Sequence, residues 1–404
     1  MTNAPRILFV SPRMIDPPFS GGEKWVHEVL RRLSSDHRLA LAVFTAPCMD
    51  KIHAAMALRL ESSFLDRVCL LPFRRNSRPE KGMPPSPGRW FSREAVSALS
   101  GFMRDWRPDI IHLQFYETLA YAAAIPENIP FVYTEHDAGY LKPGLSYVKG
   151  RTGLAGWLRM PEIVRAAFFV RRMLESAAAV TSLSGTDARR ISRVAGVRNC
   201  LLTPNAVDTG EFRPARHRNH GHTVLFVGHY PHFPNEDAAV RLAAGIMPLV
   251  RRRFPEAKLV LAGSNPTPRV FSLADSRTEV TGTVESVLDL LQSADIFAAP
   301  VRYGSGCKGK ILEAFSCAVP VVADTRALSG IAGAVHGTHA FTSGTEKGMA
   351  KLISGLLENP QQGARAGQKA RELVVRSHGW EQAVSVLRSL YGAILSGKEF
   401  TSAE

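Results

Sequence analysis

Residues 300–322 read PVRYGSGCKGKILEAFSCAVPVV, and the rest of the chain is parsed from this stretch. An apolar segment ends at Pro300, a turn carries Gly304, Ser305 and Gly306, and Lys308 and Lys310 follow. A helix is expected from about Lys310 with Glu313 in its first turn, and a second apolar segment starts near Val319. Glycines let backbone N–H groups approach an anion, a helix N-terminus adds positive partial charge, and two lysines supply point charges. Such a turn suits a diphosphate. Glu313, just beyond it, is placed to accept both hydroxyls of a ribose, and it also reads as a helix-start acid stabilised by the dipole. A competing reading takes Gly304, Gly306 and Gly309 as a dinucleotide fingerprint with Asp324 as its ribose acid, which makes the chain an NAD-binding oxidoreductase. That fingerprint belongs to the first strand–helix turn of a domain, whereas several such units precede this one.

Working outward, the unit of strand, glycine-bearing turn and amphipathic helix recurs. Residues 6–10 (RILFV) form a strand candidate, and residues 23–33 place Trp25, Val26, Val29, Leu30 and Leu33 at helical spacing. Strands are expected at 39–44, 110–113, 131–134 and 179–182, the last followed by a helix that Ser184 or Thr186 caps. Residues 74–90 are polar, basic and Pro-rich, which reads as a long surface loop. The opening motif returns at 223–227 (TVLFV), followed by a helix over 237–253. Strands at 258–262, 279–280, 296–300 and 319–323 then alternate with helices around 284–293, 310–317 and 349–357. Strict alternation means parallel sheets with helices on both faces, and ligands at the carboxyl ends of strands. The polar stretch 208–222 marks the boundary between two α/β domains, expected as 1–206 and 207–378, with residues 379–404 a C-terminal helix packing back on the first.

The composition bounds the function. At 404 residues, 45% hydrophobic and 21% charged, the chain is neither largely disordered nor a multi-span membrane protein. The N-terminus lacks a signal-peptide pattern, so a cytoplasmic location is expected. Five cysteines at 48, 69, 200, 307 and 317 have no metal-ligand spacing, and no Asp-x-Asp occurs anywhere. No metal and no cofactor are therefore expected. The net charge is +14, most of it in the N-terminal half. Without basic runs or aromatic RNA-binding motifs, a nucleic-acid-binding protein is a remote alternative.

Taken in order, these features make the chain resemble the GT-B glycosyltransferases, specifically the retaining family 4 (group 1). The resemblance rests on Gly21-Gly22 ahead of a helix, Thr134-Glu135-His136-Asp137 at a strand end, Pro204-Asn205-Ala206-Val207-Asp208 at the junction, Phe226-Val227-Gly228, Leu261-Ala262-Gly263, Thr281-Gly282-Thr283-Val284, and the turn from Gly304 to Glu313. It implies two Rossmann-like domains facing each other across a cleft, the first binding an acceptor and the second a nucleotide-diphosphate sugar. By that resemblance Gly228, Val284, Gly304, Ser305, Gly306, Lys308, Lys310, Leu312 and Glu313 line the donor, with Glu313 on the ribose. His136 sits beside the transferring sugar, and Gly21 and Gly22 let the first loop approach the diphosphate or sugar.

Two departures bear on mechanism. An earlier family glutamate is replaced by Ser305, and the usual Arg and Lys pair after the second-domain strand gives way to residues 229–236, HYPHFPNE. Lys308 and Lys310 are expected to take over phosphate neutralisation. The resemblance further implies retention by front-face attack with the leaving phosphate as base, and no dedicated nucleophile. The acceptor is expected to be a glycan, a lipid-linked saccharide or a small molecule. Residues 151–172 mix Trp157, Leu158, Phe168 and Phe169 with arginines. They read either as an amphipathic core helix with a solvated basic face or as a face for an anionic membrane, at the inner side of the plasma membrane.

Overall fold

The computed structural model describes residues 4–18, 20–74, 78–141, 160–197, 200–216, 221–303 and 309–398. The chain divides into two compact units, Met1–Thr203 together with Glu381–Glu404, and Pro204–Trp380.

The first unit is built on a seven-stranded sheet ordered β3-β2-β1-β4-β5-β6-β7. Its strands are β1 (Arg6–Ser11), β2 (Arg38–Thr45), β3 (Arg67–Pro72), β4 (Ile110–Gln114), β5 (Phe131–Glu135), β6 (Ala179–Ser182) and β7 (Cys200–Leu202). Every pairing is parallel. Parallel strands are covered on both faces, which is why β1, β2, β4 and β5 are near-continuous apolar runs and almost wholly buried. Helix Gly21–Leu33 follows β1. Ser20 and Glu23 close a capping box at its start, and Trp25, Val26, Val29, Leu30 and Leu33 are its buried face. Ser184, not Thr186, caps helix Gly185–Ala195 by accepting the Asp187 N–H.

The second unit repeats the plan with six parallel strands ordered β10-β9-β8-β11-β12-β13. They are β8 (Thr223–Val227), β9 (Lys258–Ala262), β10 (Thr278–Gly282), β11 (Ile296–Ala299), β12 (Val321–Ala323) and β13 (Phe341–Thr342). In both sheets the strand order runs outward from the first strand and then restarts on its other side. The chain connections therefore diverge between β1 and β4, and again between β8 and β11, leaving a crevice at the carboxyl ends of each pair.

Two sequence expectations need correction. The single helix expected over 237–253 is three segments: Phe233–Val240, a π-turn at Arg241–Ile246, and Met247–Arg251. The segment read as a surface loop, 74–90, ends in a short helix, Pro85–Trp90, and Trp90 stacks on Phe73 at 4.5 Å between ring centroids. Its aromatic end is thus part of the packing, because a Trp buries more apolar surface than the preceding polar residues can keep solvated. Residues 75–77 of that segment lie outside the described residues.

Helix Trp380–Leu395 belongs almost entirely to the first unit. Its Tyr391 hydroxyl lies 2.5 Å from His112 Nδ1 on β4, and His112 Nε2 lies 2.6 Å from Thr134 Oγ1 on β5, which continues to Thr181 on β6 at 2.7 Å. At the helix surface Arg388 pairs with Asp36 at 2.9 Å. The three strands beside the β1/β4 crevice are thereby cross-linked by a buried polar chain whose members are all partnered.

Candidate active site

The β1/β4 crevice of the first unit is lined from three strand ends. Gln114 closes β4 and is fully buried. Its Oε1 is 2.8 Å from Nε2 of His136, which follows β5. Phe115 adopts a left-handed backbone conformation, φ 69°, costly for a side chain with a Cβ. That conformation lays its ring on the His136 ring, 3.8 Å between centroids and 12° from parallel, while Trp25 meets His136 edge-on at 5.5 Å. Gly22 explains itself here. A Cβ at that position would stand 2.6 Å from Phe115 Cε1 and 3.3 Å from His136 Nδ1, so only glycine lets helix Gly21–Leu33 start this close to the rings. A Cβ on Gly21 meets nothing within 4 Å. Part of His136 remains at the surface, but its Nδ1 is covered and has no hydrogen-bond partner among the described residues. Burial pushes the His136 imidazole down to about 3, so it is neutral in ordinary buffers.

Behind His136, the Glu135 carboxylate is fully enclosed and accepts from the Tyr133 hydroxyl at 2.8 Å, the Tyr140 hydroxyl at 2.6 Å and the Asp137 N–H at 3.0 Å. Burial pushes this carboxyl up to about 7, against the downward pull of those donors. It anchors the turn that carries His136.

The β8/β11 crevice of the second unit holds the other group. Gly228 follows β8 and its N–H bonds to the Ala262 carbonyl at 2.9 Å. Gly263 has φ +133° and a Cβ there would lie 1.9 Å from the Gly228 carbonyl oxygen, so both turns run backbone against backbone. Helix Gly309–Ser316 opens one residue earlier than expected, which moves Glu313 out of the first turn and weakens its reading as a dipole-stabilised acid. Lys310 sends Nζ to Asn235 Oδ1 at 2.7 Å and stands 4.7 Å from the Phe226 ring centroid. Asn235 is itself tied to the His229 carbonyl at 2.8 Å. Glu313 is partly exposed, Val284 is half-buried in the loop after β10, and the Leu312 side chain is wholly in the core, which leaves only its backbone for a ligand. Gly304, Ser305, Gly306 and Lys308 lie outside the described residues.

Three of these participants escaped the sequence reading: Gln114, Asn235 and Arg241. Arg241, in the π-turn and 7% exposed, donates to the Pro300 carbonyl at 2.5 Å and to Glu346 at 3.3 Å, and faces Asp324 at 3.6 Å. It fixes the strand end from which the glycine turn departs. The Pro234-Asn235 pair inside the stretch lacking Arg and Lys was the available signal for Asn235.

The dinucleotide alternative is contradicted here on two counts. Its glycine turn follows the fourth strand of the unit, β11, whereas the first strand–helix turn is at Gly228. Asp324 is 3% exposed, accepts the Arg326 N–H as a helix N-cap and pairs with Arg241, so its carboxylate is committed inside the fold. A cavity of about 210 Å³ lined by His222, Asp295, Pro320 and Gly363 opens at the amino ends of β11 and β12, the opposite end of the sheet from these groups.

Family models agree with this geometry. The Glycosyltransferase Family 4 model matches residues 19–211 and the Glycosyl transferases group 1 model matches 221–359. The chain belongs to the group 1, family 4 glycosyltransferases. Among solved structures, this glycosyltransferase is similar to Anabaena HepE in complex with UDP and glucose, with 14% identity and a TM-score of 0.67 over 96% of this chain and 99% of that one. It is also similar to sucrose-phosphate synthase from Thermosynechococcus elongatus, with 14% identity and a TM-score of 0.71 over 98% and 100%, and to a glycosyltransferase from Rickettsia africae, with 13% identity and a TM-score of 0.66 over 98% and 100%. At these identities the likeness establishes the GT-B fold. A search of curated proteins finds no match.

The Glu135 carboxyl gives the glycosyltransferase a pH signature. Its folded-state pKa, about 7, lies above the ordinary 4.5, so between those values the folded state binds more protons and stability falls as pH rises. His112 and His136, both pushed down to about 3, act oppositely and lose stability as pH falls below 6.5. Because the histidines are common to both proteins, the difference in unfolding free energy between wild type and Glu135→Gln isolates the carboxyl. It is expected to move in favour of the variant from pH 5 to pH 8 in urea titrations, and a pH-independent difference would contradict the assignment.

Proposed function

We propose that this glycosyltransferase draws its sugar from a nucleoside diphosphate sugar held by the second unit, and transfers it with retention and without a metal ion. The observation that carries the reading is Lys310, fixed by Asn235 over the Phe226 ring at the mouth of the β8/β11 crevice, with Glu313 one turn further along the same helix. In this reading Glu313 accepts the ribose hydroxyls. Lys310, with Lys308 and the turn of Gly304, Ser305 and Gly306, meets the diphosphate, while Gly228, Val284 and the Leu312 backbone line the nucleotide. The charge that grows on the diphosphate as the glycosidic bond breaks is met by groups already in place, which is electrostatic preorganisation. The leaving phosphate takes the proton of the attacking acceptor hydroxyl on the same face, which preserves the anomeric configuration. His136 and the glycine pair Gly21-Gly22 are the first unit's candidates for contact with a sugar. HepE structures contain UDP and UDP-glucose, which makes UDP the first base to try.

A thermal-shift panel with UDP, GDP, dTDP, NAD and a single-stranded oligonucleotide tests the donor. A ligand that binds only the folded chain raises the Tm in proportion to ln(1 + [L]/Kd). One nucleoside diphosphate should do so, with or without EDTA, and Glu313→Gln should weaken its binding by about 1.5–3 kcal/mol through lost charge-assisted hydrogen bonds. A response to NAD or oligonucleotide alone, or an unchanged Glu313→Gln, would contradict the reading.

A lipid-linked acceptor is favoured by one surface. Helix Met160–Leu174 buries Ile163, Ala166, Phe169, Val170 and Leu174, yet also leaves Val164 and Phe168 exposed at 61% and 68% beside Arg165, Arg171 and Arg172. The inner face packs in the core, and the outer one suits an anionic bilayer. Residues 151–159 lie outside the described residues, and no helix among the described residues is long and apolar enough to cross a membrane. The protein should sediment with phosphatidylglycerol vesicles but not with phosphatidylcholine vesicles, and Phe168→Ser should reduce this at least several-fold. Equal recovery with both lipids would remove the membrane from the account.

A further inference from the structure

At the mouth of the β1/β4 crevice one guanidinium is held in place while its hydrogen-bond donors stay unspent. Arg13 follows shortly after β1. The buried Ser11 hydroxyl donates to the Arg13 carbonyl at 2.9 Å and accepts the Arg13 N–H at 3.4 Å, which ties this backbone to the strand end. The guanidinium carbon stands 5.8 Å from the centroid of the Trp90 ring, itself stacked on Phe73. Across the crevice, Glu117 of the one-turn helix Phe115–Thr118 that follows β4 faces Arg13 at 3.7 Å, an ion pair too long for a hydrogen bond. The same turn carries Phe115, whose ring lies on His136, so one short element reaches both groups.

Other arginines show what a structural ion pair looks like in this chain. Arg302 meets Asp237 through two nitrogens at 2.9 and 2.7 Å, Arg38 meets Asp66 at 2.6 Å, and Arg190 meets Asp187 at 2.6 Å. In each the planar fork is spent on a carboxylate. At Arg13 no acceptor among the described residues takes a guanidinium N–H, and the side chain keeps 48% exposure. The Trp90 ring and the tied backbone limit where the group can point, so much of the entropy cost of ordering a long side chain is met before any ligand arrives. An ordered fork with free donors, at a strand end where the sheet opens, is built for the oxygens of an anion.

We propose that Arg13 binds an oxyanion carried by the acceptor, a phosphate or a carboxylate, so that the enzyme selects an acidic acceptor over a neutral glycan. Two parallel N–H bonds from the fork to such a group replace the long contact with Glu117, whose carboxylate competes for the guanidinium from across the crevice. The proposal deepens the transferase reading and rests on it for the identity of the occupant as an acceptor. The oxyanion site itself does not.

The test follows the Arg13 Nε–H resonance of ¹⁵N-arginine-labelled full-length protein, free of nucleotide and assigned through Arg13→Gln. The titrants are glucose 6-phosphate, glucuronate and methyl glucoside. A saturable shift is expected with at least one acidic probe and none with methyl glucoside, and the probe that saturates distinguishes phosphate from carboxylate. Arg59 and Arg93, exposed arginines that also face a carboxylate, should show no saturation in the same titrations. By calorimetry, Arg13→Gln should weaken the binding of that probe by about tenfold, the loss of charge-assisted hydrogen bonds. Arg13→Lys, which keeps the charge without the fork, should recover part of it, and Glu117→Gln, which removes the competing charge, should tighten it several-fold. No saturable shift at Arg13, an equal response to methyl glucoside, or an affinity unchanged in Arg13→Gln would overturn the proposal. No nucleotide is present in these titrations, so their failure is separate from failure of the donor reading, which the thermal-shift panel reports.

Discussion

One hydrogen bond, from Lys310 Nζ to Asn235 Oδ1 at 2.7 Å, sets the character of the second unit's site. A lysine on its flexible stem is ordinarily a poorly placed charge, and ordering it costs side-chain entropy that a ligand would otherwise have to offset. Here the amide holds the ammonium group over the Phe226 ring, 4.7 Å from its centroid, where the ring's negative face adds a second attraction. Asn235 is in turn fixed through the His229 carbonyl, and a side chain on Gly228 would begin 3.0 Å from Asn235 Cβ, tighter than ordinary contact. The glycine after β8, the Pro-Asn pair and the lysine of the later helix are therefore one construction. It accounts physically for how a chain lacking the usual Arg and Lys pair still presents a cation at this strand end.

The two units share a plan and line their crevices with different groups. Each sheet reverses its strand order beside its first strand, and each crevice depends on a glycine that permits close approach, Gly22 in one and Gly228 in the other. The first crevice is lined by aromatic rings and a neutral histidine, the second by a lysine, a carboxylate and helix-start backbone. Burial keeps His136 uncharged.

How much of this was legible in the sequence depended on the range of the interactions involved. The central strands were readable because burial on both faces makes them continuous apolar runs, as in RILFV and TVLFV. The edge strands β3, β7 and β13 went unseen, being short or partly exposed, with Arg67 and the two-residue β13 carrying too little pattern. Lys310 and Glu313 were legible because a glycine turn and a helix start specify them locally. Asn235 was not, since it meets Lys310 across 75 residues of chain. Gln114 was hidden in the same way, its meaning arising only where β4 lies beside β5. Asp324 fitted the competing dinucleotide reading by its spacing alone, while its partner Arg241 lies in a π-turn that a regular helical period does not reveal.

We propose that Lys310, held by Asn235, stabilises the charge that appears as the donor's glycosidic bond breaks. Steady-state kinetics of Lys310→Ala, Asn235→Ala and the double variant with the nucleotide sugar tests it most directly. An interaction made mainly in the transition state lowers kcat and kcat/KM together. The account predicts a loss of about tenfold or more in kcat for Lys310→Ala with little change in KM, a smaller loss for Asn235→Ala, and a double variant no worse than Lys310→Ala. If kcat falls by less than about threefold in both single variants, as exposed surface charges behave, the lysine is outside the mechanism and the account of this site is wrong.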